Sequence, residues 1–241
     1  MQEEAGHGET ENIYAQIGAS YTDQGTATAP ALTGDDVVLL NPRALQAEHS
    51  DAKSGETTVV DDQTAAGFRY LSGLGEGEWI AYDPVELGGV TGVELRAKGA
   101  GTVTLHWADA EGEQLAEFDV DSADAWQEVS VPLTVIPEGT GRIVVTSTGG
   151  VELDQFEFTT SVSDIRALLD ALQAADRITQ GAEASFGDVL DEVDAALEAG
   201  DTATATERLE FIVTQVPYRI RTDADAAALV VRAVEAVIAN L

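Results

Sequence analysis

Forty-four aspartates and glutamates put acid–base and metal chemistry within reach everywhere along this chain, yet no spacing singles out a catalytic pair. Carboxylate catalysis needs two acids held at a set separation, and with so many acids any pairing read from sequence is chance. The three histidines, His7, His49 and His106, are far apart in sequence and form no local base or ligand set. There is no cysteine, which excludes disulfides, thiolate metal sites and a cysteine nucleophile. No HExxH, GxSxG or Walker-type GxxxxGK pattern occurs. Gly73, Gly75 and Gly77 alternate, but no helical pattern follows to make them a nucleotide loop. Serines and threonines are plentiful and lack a paired base. The expectation is a chain that binds and does not catalyse.

The acids matter as a surface. Against them stand 12 basic residues, for a formal net charge of -32. Lys53 and Lys98 are the only lysines. A disordered acidic chain would be poor in apolar residues, whereas hydrophobic residues make up 44% here and the acids are dispersed between them. A core can form. A high-acid, lysine-poor surface over a normal core resembles the proteins of extreme halophiles, because such a surface stays hydrated when salt screens its self-repulsion. The fold is therefore expected to need high salt. The same surface repels phosphate backbones, so no nucleic-acid partner is expected. No apolar stretch approaches the length of a membrane span, and no membrane insertion is expected. Met1-Gln2-Glu3-Glu4 is polar, without the apolar core of a secretory signal. That leaves two readings: an intracellular chain, or the tail of a longer exported protein.

The elements fall into three stretches. Residues 1–42 hold a polar start, then Ile13, Ala15 and Ile17 alternating with polar neighbours as in a half-buried strand. Gly25 marks a turn, and Val37–Leu40 is a short apolar run ended by Asn41-Pro42. Residues 43–160 carry many short strands separated by Gly, Asp and Pro: Thr57–Val60, Trp79–Tyr82, Val90–Ala97, Gly101–Trp107, Ala116–Val120, Gln127–Pro132, Gly141–Ser147 and Val151–Thr159. That pattern indicates a sandwich. At residues 161–241 the period becomes helical. Ser163-Asp164 can cap a first helix, Gly200 can stop a second, Asp201-Thr202 can start a third that ends at Pro217, and a fourth runs from about Asp223 to Asn240. The predicted fold class is multi-domain β + α: a β-sandwich followed by a C-terminal antiparallel helical bundle, as separate domains.

Within the β region, Leu45-Gln46-Ala47-Glu48-His49 is followed in order by Gly77-Glu78-Trp79-Ile80-Ala81-Tyr82, Val93-Glu94-Leu95-Arg96-Ala97, Trp126-Gln127-Glu128-Val129 and Leu153-Asp154-Gln155-Phe156-Glu157-Phe158. This ordered set resembles a family 6 carbohydrate-binding module. The resemblance implies a jelly-roll sandwich, a non-catalytic role and a structural calcium ion. Glu48 stands at the family's ligand glutamate and Asp154 at its ligand acid near the last strand. Asp61 or Asp62 would supply a further carboxylate; Asp61 is carried as the candidate. Calcium takes several oxygen ligands in irregular geometry.

The family's sugar site matches less well. Where it has one ring before the Gly-Asp-Trp stretch, Gly73 stands here; where it has the other, Val129; and Glu152 replaces its asparagine. A shifted register brings Tyr70 or Phe68 near the first position, so Tyr70 and Glu152 are the candidate ligand-binding residues. Trp79, Trp107 and Trp126 are expected in the core, where large aromatics at strand spacing usually lie. Tyr21-Thr22-Asp23-Gln24-Gly25 resembles the segment before such modules in exported sugar dehydrogenases, which leaves room for an upstream enzyme domain. Leu197-Glu198-Ala199-Gly200-Asp201 and Leu209–Val213 resemble a FIMAH-type helical domain of exported proteins. Together these imply a polysaccharide or glycan partner and an extracellular or cell-surface location. The alternative is a scaffold or protein-interaction module whose sugar site has degenerated.

Overall fold

The computed structural model describes residues 13–26, 28–122 and 124–241; His7 lies outside them. Strand β1 (Ala15–Thr22) and strand β2 (Thr33–Leu40) form an antiparallel ribbon in unbroken register, with Ala15 opposite Leu40 and Thr22 opposite Thr33. At its tip the Asp23 carboxylate accepts hydrogen bonds from the Gly25 and Leu32 amides, at 2.8 and 3.1 Å. Gly25 turns there with φ 60°. The alternation around Ile17 predicts a half-buried strand, but every residue of β1 is exposed. Alternation defines an apolar face; burying it takes a second layer, and no described element covers this one.

The sandwich follows. Its strands are β3 (Ala44–Gln46), β4 (Ala52–Lys53), β5 (Thr58–Asp61), β6 (Arg69–Ser72), β7 (Trp79–Glu86), β8 (Gly92–Trp107), β9 (Gln114–Val120), β10 (Gln127–Pro132) and β11 (Thr140–Thr159). The stretches read as strands at 90–97 and 101–107 are one strand, β8, and those at 141–147 and 151–159 are one strand, β11. The intervening glycines do not end these strands; they bend them. At the corner Gly99 (φ 111°) faces Val151 and Gly149 (φ 87°) faces Gly101, and a Cβ on Gly99 would collide with the Gly150 carbonyl oxygen. Only glycine fits so close a backbone approach.

Because β8 and β11 pair along their whole length and turn this corner together, each serves both layers. In one layer the order is β4-β7-β11-β8-β9; in the other it is β5-β6-β11-β8-β10, with β3 also alongside β11. Leu95, Val103, Leu105, Phe118, Val145, Leu153 and Phe156 fill the space between. The alternating pattern of an antiparallel sandwich with one face inward produces this layer.

Four helices close the chain: α1 (Val162–Ala174), α2 (Gln180–Glu198), α3 (Thr202–Arg219) and α4 (Ala224–Ala239). Each has a side-chain cap: Ser161, Thr179, Asp201 and Asp223 accept from the third residue on. The first cap is thus Ser161 and not Ser163-Asp164. Asp164 instead takes hydroxyl bonds from Thr91 at 2.7 Å and Thr159 at 3.0 Å, tying α1 to the sandwich. Helix α3 runs past Pro217 to Arg219. A proline in the last turn removes one amide bond near an end that already leaves carbonyls unpaired.

The sandwich is followed by the helices as the β + α fold class predicts, and one apolar core runs from the one into the other, with Val93, Leu133 and Phe158 in the same cluster as Ile165, Leu168, Val234 and Val237. Arg232 of α4 donates to the Ile136 carbonyl at 3.0 Å and pairs with Glu138 at 2.6 Å. Helices and sandwich therefore pack as a single body. No helix among the described residues is long and apolar enough to cross a membrane.

Candidate functional site

Asp154 sits where β11 breaks step with β8: Leu153 faces Ala97 and Gln155 faces Arg96, leaving Asp154 as the extra residue of a bulge. A bulge re-aims side chains, and here both Leu153 and Asp154 are buried in succession, Asp154 completely. Its Oδ2 accepts from the Ala66 amide at 2.9 Å and from the Arg96 guanidinium. Its Oδ1 has no hydrogen-bond partner.

Glu48 lies in a 3-10 turn, Ala47–His49, directly after β3, and only 7% of its surface is exposed. Because β3 pairs with β11 (Gln46 opposite Gln155), the turn is delivered to the Asp154 bulge. Glu48 Oε2 and the side-chain oxygen of Gln46 are also buried without partners. Both residues turn toward one piece of backbone: a Cβ on Gly67 would lie 3.4 Å from Gln46 Oε1 and 3.8 Å from Glu48 Oε1. Gly67 belongs to the loop 62–68, which folds on itself through bonds from the Asp62 amide to the Phe68 carbonyl and from the Thr64 amide to the Asp62 carboxylate.

Burial raises the pKa of Glu48, and the nearby Asp154 charge raises it further against the pull of its own backbone amide and Arg69. Burial likewise raises that of Asp154, opposed by the Ala66 amide and Arg96. Gln46, Glu48 and Asp154 each leave one buried oxygen without a donor, as do Thr57 and Ser147; oxygen is the ligand type that hard cations take.

Asp61 does not join them. Its side chain is 85% exposed and pairs with Arg69 at 3.1 Å. On β5, at the end of an edge strand, it points outward, while the loop behind it closes over the acids. Among the described residues no cluster of three His, Cys, Asp or Glu side chains forms.

Tyr70 and Glu152 do come together, around a residue that sequence reasoning missed. The Lys98 ammonium stands 4.4 Å from the ring centroids of both Tyr70 and Trp126, and those rings meet edge to face at 5.3 Å. Glu152 pairs with Lys98 at 3.0 Å and Asp62 at 3.6 Å. Burial opposes the charge on Lys98, but Glu152, Tyr70 and Asp62 outweigh it and hold its pKa above the ordinary lysine value. Tyr70 is 8% exposed, so its ring is packed away and one face carries a cation. Trp126 donates to the Thr64 hydroxyl at 3.0 Å and also stacks under Arg96, 5.2 Å away. The scarcity of lysine was the available signal for Lys98: one of two in the chain lies beside Arg96 on β8.

Trp79, Trp107 and Trp126 are all half-buried and none is fully enclosed, Trp107 packing against the core. Trp79 has Arg142 over its ring at 4.9 Å, and Trp107 lies across Gly141. Large rings on outward strand positions are covered here by cations and glycine backbone, a fit that composition cannot show. Gly73 is exposed in a turn with φ 87°, and Val129 is half-buried against the core.

A corner-turning, two-layer antiparallel sandwich whose first and last strands pair side by side has jelly-roll architecture. Residues 46–160 match the family model of the carbohydrate binding module (family 6). The match ends just before α1. Solved structures similar to the chain include a family 6 module from Clostridium stercorarium in complex with cellobiose, 24% identical, with a TM-score of 0.44 over 49% of this chain and 93% of that one. Another is a β-1,3-glucan-binding module from Bacillus halodurans, 23% identical, TM-score 0.42, covering 48% and 93%. A third, from Clostridium cellulolyticum in complex with xylose, is 16% identical, TM-score 0.44, covering 48% and 95%. No curated protein matches the chain.

Proposed function

We propose that this chain is a non-catalytic carbohydrate-binding accessory module of an exported, salt-adapted protein, with a structural calcium ion in the sandwich. The family match of residues 46–160 carries the sugar-binding, non-catalytic part. Three unpartnered buried oxygens on Gln46, Glu48 and Asp154 support the calcium part. Bound there, calcium would supply positive charge to two carboxylates that are otherwise forced together out of water. The residues themselves join three segments: the turn after β3, the 62–68 loop and the β11 bulge. Arg96 fixes one oxygen of Asp154 and, through Thr64, the loop as well, its Nη2 donating to the Thr64 carbonyl at 2.8 Å. Thermal unfolding with calcium or with a chelator tests the ion; an unmoved midpoint counts against it.

The exported part rests on the resemblance to modules of exported proteins, and the salt-adapted part on the charge of -32. Most of the few cations are already matched to acids, as in Arg166 with Asp191 and Asp194, Arg177 with Asp223, and Arg208 with Glu192. The acids left over repel one another until salt screens them.

A second reading has an observation of its own. Lys98 stands over both Tyr70 and Trp126, and Gly73 and Val129 supply no rings. A sandwich with its aromatic pair occupied from within suits a scaffold or interaction module. Binding of oligosaccharides by the intact chain at high salt separates the two readings.

A further inference from the structure

The ribbon of β1 and β2 meets the sandwich at the Leu39–Leu40 end of β2, beside β7. Its two strands present Ile17, Tyr21, Val37, Val38 and Leu40 to solvent, each between 48% and 74% exposed. An isolated two-stranded ribbon is marginal in water; three or more strands with an apolar face are needed for independent stability. Something should extend this one, and the edges of the molecule indicate which side.

Unprotected strand edges invite pairing, and proteins blunt them with charge, proline, bulges or shortness. This chain does so at its other edges. Strand β3 has three residues and β4 two. Strand β5 has four and ends on Asp61. Strand β9 carries Glu117 and Asp119, β10 carries Glu128 and ends on Pro132, and β2 carries Asp35 and Asp36. Strand β1 is different. Its eight residues, Ala15–Thr22, include no charge and no proline, and its register with β2 contains no bulge. No described residue pairs with its outer edge.

We propose that β1 is a self-association edge, pairing antiparallel with β1 of a second copy to give a four-stranded sheet in the order β2-β1-β1-β2. The partner is a copy of this chain because the edge is self-complementary about a two-fold axis and because pairing uncharged strands opposes no like charges. Every other edge strand of four or more residues carries an acid, which would add like charge to a pairing between bodies of charge -32. An eight-residue strand is about 27 Å long, which lets the two bodies stand several Debye lengths apart, the Debye length being about 8 Å at physiological salt. Pairing along it forms about eight backbone hydrogen bonds, the number found in an ordinary interface. The area covered, an edge about 27 Å by 10 Å on each copy, is small, so the dimer belongs to the reversible class. Salt strengthens it by screening the two bodies.

Sedimentation equilibrium of the full chain across a concentration series, in low and in molar potassium chloride, tests this. The expected result is a monomer–dimer equilibrium that tightens with salt. Amide hydrogen exchange should show β1 becoming protected as dimer forms. Ala19→Asp places two acids near the symmetry axis and should weaken dimerisation about tenfold, while Val37→Asp on β2 should leave it within a factor of two or so, with the circular dichroism of both variants checked against the parent. A monomer throughout the series, or a dimer that forms without protecting β1, overturns the proposal.

Discussion

Replacing Glu48 by glutamine should have opposite effects with and without calcium. The side chain is 7% exposed, and one of its oxygens has no donor. In the metal-free protein its carboxylate is disfavoured by burial and by Asp154. Glutamine keeps the shape and removes the charge. Relief of a buried, poorly paired carboxylate is worth about 1–3 kcal/mol, so the variant should equal or exceed the parent in chelator. With calcium at a hundred times its dissociation constant, the parent gains about 2.7 kcal/mol and the variant, lacking a charged ligand, gains much less. For a chain of this size that difference is about 5–11 °C in melting temperature. Differential scanning calorimetry in molar salt, with chelator and then with calcium, reads both arms. If glutamine shifts the midpoint by the same amount in each, Glu48 is an ordinary buried acid and the calcium reasoning fails.

Four further outcomes follow from the geometry. Asp223 has its pKa lowered to about 2 by Arg177 and the Ala226 amide; a depressed acid contributes stability above its unfolded value, near 3.8, and loses it as pH falls through about 2, so Asp223→Asn should flatten acid unfolding across that window in a pH titration followed by circular dichroism. Ile165→Ala, at a fully buried α1 position in the shared core, should cost about 2–5 kcal/mol and shift tryptophan fluorescence and helical signal together; two separated transitions would show that bundle and sandwich unfold independently. Lys98→Ala removes a cation from two ring faces and should cost about 1–2 kcal/mol, with a change in the near-ultraviolet signal of Trp126. Dialysis from molar to low salt should reduce the folded circular dichroism signal, and full retention would argue against salt adaptation.

The sandwich was legible in sequence because period-two alternation and turn residues are local signals, and the helices because their apolar positions repeat at helical spacing. What failed was long-range in origin. Glycines at 99–101 and 149–150 read as strand ends because a turn and a sheet corner use the same residue. The exposure of β1 could not be read, since alternation says which face is apolar and nothing about what covers it. How the bundle packs against the sandwich could not be read either, since it depends on the faces of α1 and α4, whose partners lie many residues away. At the site, Glu48 and Asp154 were located by ordered resemblance, and their burial and orphaned oxygens needed coordinates. Asp61 was misplaced because neighbouring strand residues alternate in direction and the register there was open. Lys98 was missed because the search was for rings and acids, while the structure organises both around a cation.

The central claim is that this chain binds carbohydrate without transforming it. Isothermal titration of the full chain with a panel of oligosaccharides, in molar salt and calcium, together with product analysis of the same mixtures, tests it most directly. The account predicts saturable heat of binding for at least one sugar with every sugar recovered intact. Absence of binding across the panel, or cleavage of a bound sugar by the purified chain, would contradict it.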